Sequence, residues 1–159
     1  WRTKILLYKT LIRPVLTYGA ETWTTTVAEC QNLLIFERKV LRRVFGPVFT
    51  DGVWRRRYNQ EIYDLYSQPD VVNIIKKARL RWAGHVARME EDMVPRKLLT
   101  VEIHGWRRVG RPRLRWKDCV AGDARSLGVR NWMAAAIHRD SWRLLIEEAW
   151  TRQRVVAPR

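Results

Sequence analysis

The chain has 159 residues, 47% of them apolar, which suffices for one domain or two small helical subdomains sharing a core and excludes wholesale disorder. Thirty-one Lys and Arg stand against 16 acidic residues, for a formal charge of +15, and a compact body so charged repels itself unless an anionic partner neutralises it. Two cysteines exclude a disulfide scaffold, and no apolar run approaches the roughly 20 residues that span a bilayer.

The elements follow in chain order. From Trp1 to about Thr24 the pattern is helical, with Ile5, Tyr8, Ile12, Val15, Leu16 and Gly19 on one face. Pro14 removes a backbone donor there and is expected to kink or split the helix. A Trp at position 1 inside an apparent helix points to a segment of something longer. The threonines at 24–26 offer an N-cap to a second helix, about Val27 to Phe45, with Leu33, Phe36, Val40, Leu41 and Val44 as its apolar stripe. Arg38, Lys39 and Arg42 lie on its other side, and Gly46-Pro47 ends it. A loop through Thr50-Asp51-Gly52 leads to a shorter helix, about Arg55 to Tyr66, with Tyr58, Ile62 and Leu65 expected inward.

Pro69-Asp70 opens the next helix, to about Arg88, whose stripe is Val71, Ile75, Ala78, Trp82 and Val86. Lys77, Arg81, Gly84 and Arg88 recur along a neighbouring flank, where the small Gly84 leaves room for another backbone, a phosphate chain included. Residues 94–103 fit a short helix or an extended piece equally. Positions 104–113 read as an irregular Gly/Pro/Arg linker. A helix from Leu114 to about Leu127 is closed by Gly128, Asn131 caps another, and Trp142, Leu145, Ile146 and Ala149 line the last, to about Arg152. Arg143–Glu147 and Glu148–Arg152 have the spacing of supporting pairs on that helix. Strand-type alternation is hard to find. The predicted fold class is mostly α, one or more small helical bundles with an irregular basic linker.

The chemistry points to nucleic acid ahead of an acidic membrane surface. Arg outnumbers Lys, and the planar guanidinium suits phosphates and base edges. The stretch 105–117 holds Arg107, Arg108, Arg111, Arg113, Arg115 and Lys117 with no acid among them, a source of salt-dependent affinity through counterion release. Trp106 and Trp116 flank it as candidate stacking rings, and its Gly110-Arg111-Pro112-Arg113 core is like a minor-groove hook. A solvated basic linker is the alternative. The flanks bearing Arg38, Lys39 and Arg42, and Lys77, Arg81 and Arg88, are further candidates, although any soluble helix shows a charged outer face. Arg55-Arg56-Arg57 makes a third basic patch.

Metal-ligand spacing is missing among Cys30, Cys119, His85, His104 and His138, and His85 beside Trp82 and Val86 reads as a core or boundary histidine. No carboxylates are patterned for two-metal polymerase chemistry, and neither cysteine has a nucleophile's context. No catalytic residue, metal ligand or cofactor is therefore assigned.

Four ordered blocks carry a family resemblance. Leu7-Tyr8-Lys9-Thr10-Leu11-Ile12-Arg13-Pro14 through Tyr18-Gly19-Ala20-Glu21-Thr22-Trp23 comes first, then Glu37-Arg38-Lys39-Val40-Leu41-Arg42-Arg43-Val44-Phe45-Gly46-Pro47. Arg79-Leu80-Arg81-Trp82-Ala83-Gly84-His85-Val86-Ala87-Arg88-Met89 and Gly110-Arg111-Pro112-Arg113-Leu114-Arg115-Trp116-Lys117-Asp118 follow. Together they resemble the C-terminal, thumb and post-palm region of LINE-type (non-LTR) retrotransposon endonuclease–reverse transcriptases, over about residues 3–150. The resemblance implies a thumb-like helical segment at 1–47 and a helical C-terminal extension at 54–153. It also implies RNA or DNA and the palm and fingers of the parent enzyme as partners, no membrane, and nuclear residence. The family's polymerase aspartates and endonuclease domain have no counterpart here, so the expected role is non-catalytic, holding template–primer or target nucleic acid. A protein-docking helical module and a functionless translated transposon remnant are the alternatives.

Overall fold

The computed structural model describes residues 1–101, 110 and 114–155, with side chains as far as Glu148. The architecture is mostly α, as the sequence predicts, with one two-stranded hairpin among the described residues. The first helix is divided in three: α1 (Arg2–Leu7), a π-turn (Tyr8–Ile12) and α2 (Arg13–Leu16). Pro14 sits in the first turn of α2, and the Arg13 N–H donates to the Tyr8 carbonyl five residues back. The widened turn makes room for the pyrrolidine ring, so the expected kink takes the form of a π-bulge. The bulge also shifts the helical register. Tyr8 is buried and Leu16 half-buried, whereas Ile12 and Val15, expected on the same stripe, are exposed.

Gly19, at φ +66°, turns the chain into a 3-10 turn, Ala20–Thr22, and Ala20 packs with Val71, Val72 and Ile75. Helix α3 (Val27–Phe45) has the predicted bounds because both signals are local. The Thr26 hydroxyl accepts the Glu29 N–H at 3.3 Å, the Glu29 carboxylate accepts the Thr26 N–H at 2.7 Å, and Gly46 at φ +70° ends the helix. Where a loop was expected, β1 (Val48–Thr50) pairs antiparallel with β2 (Val53–Arg55). Asp51 and Gly52, at φ 54° and 78°, form the two-residue turn that matches strand twist. The following helix, α4 (Asn59–Tyr66), therefore starts later than expected. It buries Ile62 and Tyr66, while Tyr58 and Leu65, predicted inward, are exposed.

Asp70 caps α5 (Val71–Ala87) by accepting the Asn73 N–H at 2.8 Å. This helix is central. Val71, Val72 and Ile75 face the 3-10 turn and α3, while Leu80, Ala83, Val86 and Ala87 face the C-terminal helices. Those are α6 (Val94–Thr100), a helix over the first seven residues of the ambiguous 94–103 stretch, α7 (Trp116–Ser126), α8 (Trp132–Ile137) and α9 (Arg139–Val155). Asn131 caps α8 as predicted, accepting the Ala134 N–H. The main core joins Leu80 and Ala83 to Val120, Ala124, Trp132, Trp142 and Ile146. Each large apolar side chain buried there contributes about 1.5–3 kcal/mol.

Gly84 meets a side chain rather than a phosphate. A Cβ there would lie 2.3 Å from Trp142 Nε1, whose N–H donates to the Leu80 carbonyl at 3.0 Å. Three charged residues are also buried: Glu37, Arg79 and Asp123. Glu37 is fully buried, accepting the Tyr8 hydroxyl at 2.9 Å and the Val71 N–H at 3.0 Å, which ties the first helix, α3 and α5 together. Arg79, 2% exposed, donates to Thr25 Oγ1 at 3.0 Å and faces Asp123 at 3.5 Å, joining α5 to α7 and to the residue before the cap of α3. Burial raises the Asp123 carboxyl above its usual range, against the pull of Arg79.

Candidate nucleic-acid interface

The C-terminal turns of α3 carry Lys39, Arg42 and Arg43 into the bend at Gly46, and the hairpin then brings Trp54, Arg55, Arg56 and Arg57 back beside them. Together with Gly46 and Pro47 these residues line an open groove of about 400 Å³ that contains no carboxylate. Two of the basic patches visible in the sequence, 38–42 and 55–57, thus contribute to one surface, with Lys39 and Arg42 but not Arg38 in its lining. The geometry requires both the positive φ of Gly46 and the two-residue turn at 51–52.

Some of these cations build the groove and others are presented by it. Arg57 Nε donates to the Gly46 carbonyl at 3.2 Å. Arg42 Nε donates to the Arg57 carbonyl at 3.4 Å, and its guanidinium also binds Asn59 Oδ1. Arg55 grips Glu61 through two hydrogen bonds, 2.6 and 3.0 Å, and lies 4.7 Å over the Tyr58 ring. Those bonds, with a further one from the Tyr58 N–H, hold the Glu61 carboxyl down at about 2. Lys39, Arg43 and Arg56 are exposed. Partial desolvation and the neighbouring Arg56 and Arg38 guanidinium groups lower the Arg42 pKa, the mark of crowded like charge.

The remaining sequence candidates separate by contact. Arg38 is half-buried beside Tyr63, whose hydroxyl is pushed up to about 12, chiefly by burial. Lys77 and Arg81 both bind Glu147 of α9 at 2.6 Å, and Arg88 donates to the Ala136 carbonyl at 2.6 Å. The α5 flank read as an outer basic face is thus a clamp onto α8 and α9. Glu147, placed by spacing beside Arg143, reaches across to another helix; the Arg152 side chain of the second expected pair lies outside the described side chains. Trp116 is half-buried at the edge of the main core, its N–H donating to the Glu21 carbonyl at 2.7 Å, so it is a strut rather than an open stacking platform. Arg115 precedes α7 as its N-cap, with Asp118 accepting its N–H, and Lys117 donates to the Leu99 carbonyl at 3.2 Å. His85 is exposed, 5.3 Å from the Trp82 ring, not in the core. Trp106, Arg107, Arg108, Arg111 and Arg113 lie outside the described residues.

Sequence reasoning missed Trp54 as a groove wall. The available signal was Asp51-Gly52, a hairpin turn that faces Phe49 with Trp54 across the strands. Elsewhere, a mainly apolar hollow of about 700 Å³ lies between Leu16, Trp23, Leu33 and Phe36. Among the described residues no His, Cys, Asp and Glu cluster is placed to hold a metal ion, and no helix is long and apolar enough to cross a membrane.

Among known proteins, the chain is similar to an uncharacterized transposon-derived protein of Caenorhabditis elegans, 29% identical over 156 residues. The match covers 94% of this chain and 56% of the worm protein, so the chain spans little more than half of that relative's length. No family model matches the chain. No solved structure matches it either.

Proposed function

We propose that the chain is a non-catalytic, nucleic-acid-binding part of a LINE-type retrotransposon reverse transcriptase, holding template–primer or target nucleic acid. The groove carries this reading: Lys39, Arg42, Arg43, Arg55, Arg56 and Arg57 converge on a concave surface with no acid in its lining. Such a surface concentrates positive potential and draws in polyanions. The likeness to a transposon-derived protein, extending over nearly the whole chain, supports the element as its source. On this reading residues 1–47 are thumb-like, residues 54–153 are the C-terminal extension, and the groove lies where they meet. The basic stretch 105–117 supplies further phosphate contacts, the parent enzyme's palm and fingers are the protein partner, and the working compartment is the nucleus.

The test is the affinity for an RNA–DNA hybrid with a recessed 3′ end across a salt titration. The expected result is tight binding that falls steeply with salt, with Arg43→Ala and Arg56→Ala each reducing the slope by about 1. No binding at low salt by a demonstrably folded chain refutes the proposal. One observation favours a docking module as the second reading. Leu6, Leu11, Val15 and Tyr18 are exposed along the first helix, near the apolar hollow between Leu16 and Phe36. Self-association without nucleic-acid binding would select it.

A further inference from the structure

The wall of the groove that carries no charge is aromatic. Trp54, 66% exposed, lines the groove among the cations, and its cross-strand neighbour Phe49, 56% exposed, lies 5.2 Å away between ring centroids at an interplanar angle of 54°. Neither ring belongs to a buried cluster, so beyond their contact with each other across the strands they pack against no core. A ring face beside unopposed cations is the arrangement that holds an unpaired nucleotide: the phosphates take the cations and the base takes the ring. A base inside a duplex is covered on both faces and offers only its edges. The size agrees, because about 400 Å³ falls within the roughly 300–1,000 Å³ of pockets for single small ligands and is far from a duplex footprint.

We infer that the groove binds single-stranded nucleic acid, with one base stacked on Trp54 and the adjoining phosphates on Lys39, Arg43 and Arg56. This rests on the nucleic-acid reading above and narrows it to unpaired strand. Any base has a π face, so no sequence preference follows; a pyrimidine run and a mixed sequence bind alike.

The experiment uses the full chain and three labelled probes across one salt series: an unstructured 12-nucleotide DNA, the same sequence as RNA, and its blunt DNA duplex. The wild-type chain is expected to bind the single strands more tightly than the duplex. Trp54→Ala is expected to weaken single-strand binding about 5- to 150-fold, the effect of losing one base–aromatic stack, with duplex affinity and the salt slope unchanged. Trp54→Phe, which keeps a ring, is expected to recover most of the loss. Circular dichroism of both variants should match the wild type, since the ring is largely exposed. DNA and RNA arms that differ identify which strand the groove prefers. If Trp54→Ala binds all three probes as the wild type does, or loses affinity equally for all, the stacking site is overturned while the nucleic-acid reading stands. If the wild-type chain binds none of the probes at low salt, both readings fall together.

Discussion

Glu37→Gln is expected to remove a pH dependence of stability that the wild-type chain shows between about pH 4.5 and 7. Glu37 is fully buried, and burial is the main reason its carboxyl rises from 4.5 to about 7; the bonds from the Val71 N–H and the Tyr8 hydroxyl offset only part of that cost. The folded chain thus keeps a proton that the unfolded chain has already released. Stability from this group is fully present below the unfolded value of 4.5 and is lost as pH rises through about 7. The difference corresponds to about 3 kcal/mol. Gln has the same shape and no charge to desolvate. Its carbonyl can accept the Val71 N–H while its amide donates to the Tyr8 oxygen.

The assay is urea unfolding of both proteins at about pH 5 and about pH 8. Burial also raises the Asp70 and Asp123 carboxyls, which act with the same sign. They are common to both proteins and cancel when the two pH responses are subtracted. Glu61, held at about 2, acts with the opposite sign but below this window. Wild type is expected to lose more stability between the two conditions, by about 2.5 kcal/mol. Equal losses in the two proteins would refute the account of Glu37 as a buried carboxyl joining three helices.

Gly84→Ala places a methyl 2.3 Å from the buried Trp142 indole, so the overpacking cost, about 1–3 kcal/mol, should exceed the gain of about 1 kcal/mol in helix propensity. A Tm at or above the wild-type value would contradict that packing. Trp116→Phe loses the bond to the Glu21 carbonyl and about 1 kcal/mol of stability, with nucleic-acid affinity unchanged; a large affinity loss would put the ring on the ligand instead. Changing Arg111, Arg113 and Arg115 together to Ala is expected to weaken binding and flatten its salt dependence, and unchanged affinity and slope would remove the 105–117 stretch from the interface.

What could be read from the sequence was set by local chemistry. The bounds of α3 follow from Thr26, Glu29 and Gly46, the start of α5 from Pro69 and Asp70, and the cap of α8 from Asn131. The hairpin was hidden because three-residue strands are too short to alternate visibly, leaving Asp51-Gly52 as the one cue. Nothing in composition marks Glu37 and Arg79 as buried, because charged helix residues usually face water. Their spacing argued otherwise: Leu33, Glu37 and Leu41 recur every fourth residue, and Val72, Ile75, Arg79, Ala83 and Val86 follow at steps of three or four. A charge inside an apolar stripe is a candidate buried hub, and both are. The site was legible as separate basic patches, but not the turn that merges two of them, nor the distant Glu147 that engages Lys77 and Arg81 of the α5 flank.

Net charge and local charge make different predictions here. Lys77→Ala and Arg43→Ala each remove one positive charge from a total of +15. If affinity followed the overall charge, the two changes would be equivalent. Lys77, however, binds Glu147 at 2.6 Å, and Glu147 keeps Arg81 as a partner when Lys77 is removed. The three groups together keep one net positive charge, but the Lys77 ammonium is already held by a carboxylate on a side chain only 23% exposed, so a phosphate gains little contact there. Arg43 is exposed in a groove whose lining contains no acid, so a phosphate placed there meets unopposed charge. Arg43→Ala is therefore expected to lower the slope of log affinity against log salt by about 0.7–0.9, the value of one phosphate contact, and Lys77→Ala to leave it unchanged. The measurement is the salt titration of both variants on one probe. Equal slopes for the two variants would mean that binding reads the charge of the whole chain and that the groove has no special part in it.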